Sequence, residues 1–354
     1  DVDGFVVDRG FQVLNPAYPN LRKVVPMGRL GLRSFPRQVR VRTGDRLVEL
    51  NDPSRRPGRL PAALASGLVR PGDLALLAAG ARSVVRDRPR GENFDSSGFT
   101  GPLRRQVIDP FLAGVLCERD QSTSARFVSW LLAMFAVGTP GLPSGGMRTL
   151  PRLMAEGLDV RLGTTVDLET GTLATSAGEF AGRHVVVAAG PTATAQLTGG
   201  PVPEVNATCT FWFATTKSPS DTAAIHLDGS GEAQVATTTV VSNLAPEYAP
   251  AGQHLVAALT LADAPGSDPR EVDEGAVRSQ LAHIYQTDTA AWRLVARHDL
   301  AETVPAVAPG RHRSTAGIER RGRALVCGDQ FGNASLDGAA ASGLKAAAAI
   351  VRRG

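Results

Sequence analysis

Gly328 and Asp329 close a short apolar run, Arg323-Ala-Leu-Val-Cys327. A polar loop then leads into Ser335-Leu-Asp337-Gly338-Ala339-Ala-Ala-Ser342-Gly343-Leu-Lys-Ala-Ala. The run has the length and composition of a buried strand, and either Ser335 or Asp337 is placed to cap a helix that follows it. That helix opens with Gly338, Ala339, Ser342 and Gly343 and continues in alanines, so one face carries almost no side chain. A strand, a polar loop and a helix start stripped of bulk let the backbone approach a ligand closely. The helix N-terminus offers unpaired N–H groups and a partial positive charge to a phosphate or a carbonyl oxygen. The same spacing also suits a glycine–alanine helix packed tightly on a sheet, and spacing alone does not choose between the two.

No other set of residue types competes for chemistry. The six histidines are scattered, without H-x-x-x-H or any metal-ligand spacing. His226, His254, His283 and His298 fall in or beside strand-like and helix-like segments and read as structural. There is no G-x-S-x-G elbow to support a serine hydrolase. Cys117, Cys209 and Cys327 are an odd, scattered set without C-x-x-C, which argues against a disulfide framework or a zinc site. They fit a reducing compartment, hence the cytoplasm.

The chain's 354 residues, 43% hydrophobic and 20% charged, describe an ordinary globular protein of two domains. Its net charge of +4 comes from arginine, since Lys23, Lys217 and Lys345 are the only lysines. The arginines are dispersed and not interleaved with aromatics, so nucleic acid is not expected as a partner. The longest apolar run, Phe127 to Val137, falls short of the ~20 residues that span a bilayer. No signal peptide is visible, and peripheral contact with a membrane is left open. The chain starts at Asp1 with its first methionine at Met27, so position 1 is not expected to be a translation start. A G-x-G-x-x-G turn, which normally opens a dinucleotide-binding domain, is absent. The first βαβ unit is therefore expected to have been lost from this sequence, to lie on a separate chain, or to be dispensed with.

The elements that must position the Gly328–Ser342 segment follow from patterning. Residues 3–14 read as a strand running into the loop Gly10-Phe11-Gln12. Residues 30–50 read as short strands, with Val39-Arg-Val-Arg alternating. Residues 51–61 form a Pro/Arg loop. Residues 64–86 give two helical patches broken at Pro71-Gly72, with Asp73 capping the second. Residues 88–101 read as a polar loop. Helices are expected over 102–116 and 125–135, and Arg119, Asp120 and Arg126 read as a solvated cluster at helix ends. Gly145-Gly146-Met147 reads as a tight turn before a helix over 149–156. Residues 160–166 alternate as a strand, and a hairpin follows through Gly171 and Gly178. His184-Val-Val-Val-Ala-Ala-Gly190-Pro191 reads as a strand buried on both faces, as in a parallel sheet. Strands are expected over 207–215, 233–241 and 254–261. A helix is expected over 272–285, and residues 292–298 lead into Val304. Phe211, Trp212 and Phe213 alternate across a strand, so at most one face of it reaches a pocket.

Gly328-Asp329 with Ser335-x-x-Gly338-Ala339-x-x-Ser342-Gly343-x-x-Ala346-Ala347 resembles the C-terminal flavin-binding motif of the flavin amine oxidase and phytoene desaturase superfamily. Asp8-Arg-Gly10-Phe11-Gln12 resembles the family's loop beside the flavin ring. Pro143-Ser-Gly145-Gly146-Met147 resembles its return from the cap. Asp109-Pro-Phe-Leu-Ala-Gly114-Val with Ser122-Thr-Ser-Ala-Arg126-Phe is similar to a subgroup of bacterial FAD-dependent oxidoreductases of the phytoene-desaturase type.

The resemblance implies an α/β (α+β two-domain) fold: a discontinuous Rossmann-like FAD/NAD(P)-binding domain and a substrate domain of mixed β-sheet plus helical cap. The FAD domain would comprise 1–20, 140–200 and 305–354, and the substrate domain 21–139 and 201–304. The implied cofactor is FAD, contacted by Gly10, Phe11, Gln12, Gly145, Gly146, Met147, Gly190, Gly328, Asp329, Ser335, Gly338, Ala339 and Ser342, with Asp329 on the ribityl chain. The implied activity is dehydrogenation or desaturation of a small hydrophobic molecule by hydride transfer to flavin. No catalytic residue and no metal ligand is assigned. Amine oxidases of the family carry a lysine in the first strand of the substrate sheet. None lies in Ala207-Thr-Cys-Thr-Phe-Trp-Phe, which weakens amine oxidation. Two alternatives stay open: a non-catalytic binding protein on the same scaffold, as the escort proteins for prenylated small GTPases are, and an inactive fragment. Without the first βαβ unit these residues are expected to bind FAD poorly.

Overall fold

A computed structural model describes residues 1–80, 86–167, 173–180, 182–231, 234–261, 268–311 and 317–352. The first third of the chain holds α1 (Leu21–Val24), β1 (Arg33–Ser34), β2 (Gln38–Thr43), β3 (Arg46–Asn51), α2 (Leu60–Ala65), α3 (Pro71–Gly80), α4 (Arg90–Ser96), α5 (Asp109–Leu116) and α6 (Ala125–Val137). The middle follows with β4 (Gly141–Leu142), α7 (Thr149–Ala155), β5 (Val166–Asp167), β6 (Leu173–Thr175), β7 (Gly178–Phe180), β8 (Val185–Val187) and α8 (Pro191–Thr198). The last part holds β9 (Val205–Thr215), β10 (Ile225–Asp228), β11 (Val235–Val240), β12 (His254–Leu261), α9 (Glu274–Tyr285), β13 (Arg293–Pro305), β14 (Glu319–Arg321), β15 (Ala324–Val326) and α10 (Leu336–Val351).

The fold is mixed α/β, and its largest layer is a seven-stranded sheet in the order β13-β9-β12-β11-β10-β2-β3. All its pairs are antiparallel except β10 with β2, so a hairpin from the first third of the chain extends the sheet built from the last. Phe211 and Phe213 on β9, with Val256 on β12, pack against Val277, Leu281 and Ile284 of α9, forming a closed core on one face. Trp212 on the opposite face packs with Phe5, Phe35 and Tyr248. A smaller sheet, β14-β15-β8, pairs β15 and β8 in parallel. Each of those two strands is followed by a helix, α10 and α8, which is the βα arrangement of a doubly wound nucleotide-binding sheet.

Several local expectations are corrected. Residues 3–14 form no strand: their only β pairing is two isolated bridges, Val2 to Phe5 and Leu14 to Gly141. Residues 88–101 are not a loop, because α4 lies within them. Its Arg90 is buried, with Nε donating to Glu118 (2.8 Å) and Nη1 to Asp109 (2.8 Å). Composition read as polar and loop-like is the signature of a buried ion-pair cluster. The two helical patches are α2 and α3, separated over 66–70 so that Pro71 opens the second, and Asp73 sits inside its first turn and not ahead of it, accepting the Arg70 N–H at 3.0 Å. This is the reaching-back half of a capping box.

The alternation over 160–166 yields strand only at Val166–Asp167, and Val160 and Leu162 are exposed. Without a neighbouring strand to pair with, periodicity does not make one. The 184–190 run is strand only over Val185–Val187, and Val186 is 43% exposed, so it is not buried on both faces. The helix expected over 102–116 begins as a π turn over Leu103–Ile108 ahead of Pro110, whose nitrogen has no proton to donate. Asp120 and Arg126 are exposed as expected, but Arg119 is half-buried and donates to the Gln234 carbonyl at 2.9 Å. The expectations at Gly171, at Ala233 and over 81–85 lie outside the described residues.

Candidate functional site

A cavity of about 640 Å³ runs between the large sheet, the helices of the first third and the start of α10. Its floor includes Asn206 of β9, Leu259 of β12, and Thr303 and Val304 of β13. Its roof is apolar, with Leu103, Val107, Phe111, Phe127, Leu131 and Phe135. Its inner end is closed by Phe11, Gln12, Met147, Asp329, Ser335 and Leu336. Five of the sequence-predicted cofactor residues thus meet on one wall: Phe11, Gln12, Met147, Asp329 and Ser335.

The inner end is held by a hydrogen-bonded frame. Ser335, and not Asp337, caps α10: its Oγ accepts the Gly338 N–H at 3.1 Å. Asp337 is buried and caps a different helix, accepting the N–H groups of Asn20 (2.6 Å) and Leu21 (3.2 Å) at the start of α1. Asp8 accepts the Met147 N–H at 3.0 Å, which fastens the Gly145–Met147 turn to the Gly10–Gln12 loop. Gly146 adopts φ +82°, and a Cβ there would press on Val6 and Asp8. Gly10, at φ +92°, lies against Leu300 and Thr210.

The other predicted residues lie off the cavity wall. A Cβ at Gly338 would overlap the Asn333 carbonyl oxygen, so the bareness of the helix tip serves a close approach of the chain to itself. Ser342 is fully buried. Its Oγ accepts the Gly328 N–H (3.0 Å) and donates to the Gly317 carbonyl (2.6 Å), which locks the Gly328 turn onto α10. Ala339 is exposed on α10, Gly145 abuts Thr149, and Gly190 is an exposed residue preceding α8. Phe211, Trp212 and Phe213 all belong to cores, and none lines the cavity.

Electrostatically, the inner end is unusual. Burial pushes the Asp329 carboxyl up to about 6, against the lowering effect of its own and the Gln330 backbone N–H groups. No ion pair to Asp329 forms among the described residues. The neighbouring Gln330 Oε1 is buried with no hydrogen-bond partner. Asp329 therefore reaches the cavity wall held only by backbone N–H groups, with no counter-ion among the described residues, while Gln330 lies off that wall.

Sequence reading missed most of the roof and the outer end, where Arg37 and Asp52 pair at 3.0 Å. No local signal marks them, because the elements that carry them meet only in three dimensions. Among the described residues, no group of three or more His, Cys, Asp or Glu is placed to hold a metal ion, and no helix is long and apolar enough to cross a membrane.

Solved structures share this fold at low identity. An oxidoreductase from Methanosarcina mazei aligns with TM-score 0.73 and 16% identity, covering 98% of this chain and 89% of that one. A putrescine oxidase variant aligns with TM-score 0.65 and 15% identity over 100% and 90% of the two chains. Cyclohexylamine oxidase from Brevibacterium oxydans aligns with TM-score 0.63 and 14% identity over 98% and 88%. No curated protein sequence matches the chain. The family of flavin containing amine oxidoreductases matches from residue 1 to residue 351. With that match spanning the Gly10 loop, the Gly145 turn and the Asp329 motif alike, the chain belongs to the flavin containing amine oxidoreductase family and is a flavin-dependent oxidoreductase.

Proposed function

We propose that this chain dehydrogenates a small, hydrophobic substrate by hydride transfer to FAD. When bound, FAD supplies the hydride acceptor. The observation that carries this reading is a cavity whose wall holds the buried Asp329 carboxylate, without a counter-ion among the described residues, beside Ser335 while its roof is apolar. The hydroxyls of a ribityl chain are donors of the kind that a carboxylate without a counter-ion can take. Asp329 would hold that chain, and the first turn of α10, set by Ser335, would direct its N–H groups toward the flavin ring. Phe11, Gln12 and Met147 would bound the ring. The apolar roof would hold the substrate and exclude water from the reacting carbon. β9 brings no lysine to the cavity, and Lys217 lies beyond it in a loop, which favours dehydrogenation of a carbon skeleton. On this reading 1–20, 140–200 and 305–354 serve the cofactor, and 21–139 and 201–304 serve the substrate.

Riboflavin tests the proposal directly, because it carries only the ring and ribityl chain that these residues would touch. Quenching of riboflavin fluorescence with one-to-one stoichiometry is expected, and Asp329→Ala should weaken it about tenfold or more, the loss of hydrogen bonds to a charged acceptor. A protein that quenches neither riboflavin nor FAD overturns the proposal.

A further inference from the structure

Resting on the reading above, we infer that the cavity is built for an uncharged substrate and turns away the protonated amines for which its family is named. Among the described residues, the charged side chains on its wall are Arg37, Asp52 and Asp329. The first two are spent on each other and on the fold. Arg37 Nη1 donates to Asp52 (3.0 Å) and to the Ala136 carbonyl (3.2 Å). Its Nε donates to Thr139 Oγ1 (2.8 Å) and its Nη2 to the Gly138 carbonyl (3.0 Å). The guanidinium thereby satisfies the carbonyls at the end of α6, where a positive charge is favoured. Asp52 accepts from Arg37 through one oxygen and from the Ser54 N–H (2.9 Å) and Oγ (2.6 Å) through the other. Every guanidinium nitrogen of Arg37 and both oxygens of Asp52 thus have a protein partner. Asp329 lies at the inner end with Ser335, where the cofactor's polyol would take its acceptor capacity.

With Asp329 engaged by the cofactor's polyol, an ammonium group drawn into this cavity would lose its water and meet no free carboxylate, whereas a hydroxyl can donate to the amide oxygens of Gln38 and Asn206 on the wall, whose amide nitrogens are the atoms that pair with the protein. A charge without a partner is expelled from an apolar site far more strongly than a neutral polar group is. The selectivity is thus produced by internal neutralisation at the outer end of the cavity.

The test displaces a neutral fluorescent probe, N-phenyl-naphthylamine, from the 354-residue protein saturated with riboflavin, using three ligands of one chain length: decanol, decylamine and decanoate, all at pH 7. Decanol should bind about tenfold or more tightly than either charged analogue. In Asp52→Asn, whose Arg37 keeps its carbonyl partners but loses its counter-ion, decanoate should gain at least about threefold over wild type while decanol is unchanged. Decylamine binding as tightly as decanol overturns the inference. So does an amine affinity that vanishes in Asp329→Asn, which would make Asp329 the amine's counter-ion, or an Asp52→Asn protein with no gain for decanoate. Riboflavin quenching in the same samples reads the flavin proposal separately, so tight amine binding with quenching intact would remove this inference and leave that proposal standing.

Discussion

Two carboxylates line one cavity, and their surroundings push them in opposite directions. At the outer end, burial alone would raise the Asp52 carboxyl, but hydrogen bonds from Ser54 and Arg37 outweigh it and hold the group below its ordinary value. At the inner end Asp329 has no cation, and burial prevails, raising it to about 6. The same residue type is therefore a brace in one place and an acceptor without a counter-ion in the other. A carboxylate whose needs are met by the protein stabilises the fold; one whose needs are not met costs stability and is available to a ligand.

The largest effect is expected at the brace. Arg37→Ala should destabilise the protein by about 3 kcal/mol in urea unfolding, because it leaves Asp52 and several carbonyls without their donor. A loss of less than about 1 kcal/mol would mean that the outer pair is ornamental. The inner end should respond with the opposite sign. Between pH 3.8 and about 6 the native state binds the Asp329 proton more tightly than the unfolded state does, so this group's contribution to stability falls as pH rises through that window. Asp329→Asn should accordingly stabilise the ligand-free protein at pH 7 by about 1–3 kcal/mol while weakening flavin binding, measured by thermal unfolding and by quenching. A destabilised Asp329→Asn would put Asp329 in the same class as Asp52.

His226 supplies a control remote from the cavity, on the face of the sheet covered by α9. It is buried against Tyr285, its Nδ1 faces the Ala224 carbonyl at 2.9 Å, and burial lowers it to about 4. Here the unfolded state binds the proton more tightly, so stability is lost as pH falls from 6.5 toward 4. The loss should be about 2 kcal/mol, and His226→Gln should flatten that limb of the stability profile. The smallest expected effect is at the helix start: Ser335→Ala should cost about 1 kcal/mol and Ser335→Asn should restore most of it, read from thermal melts.

Legibility in the sequence followed the range over which each feature is decided. The strands β9 and β12, the helices α6 and α9 and the strand-loop-helix at the C-terminal end were visible because period and caps are local. The Ser335 cap is of this kind. Asp337 was equally plausible as that cap, and its real partners, Asn20 and Leu21, lie more than three hundred positions away. The failures share this cause. The 88–101 stretch is polar because its Arg90 is matched by Glu118 and Asp109, and Gly338 is bare because Asn333 returns against it.

By itself, then, the sequence determined the Gly328–Ser342 motif, because short spacings, sterics and capping restrict its residue types, and the fold class followed from the family likeness that this motif carries. Only the tertiary structure decided which motif residues face the cavity, which lock the chain to itself, and that one of two similar carboxylates is neutralised while the other is not. Those outcomes depend on desolvation and on partners brought from distant segments, and neither quantity exists until the chain has closed around the site.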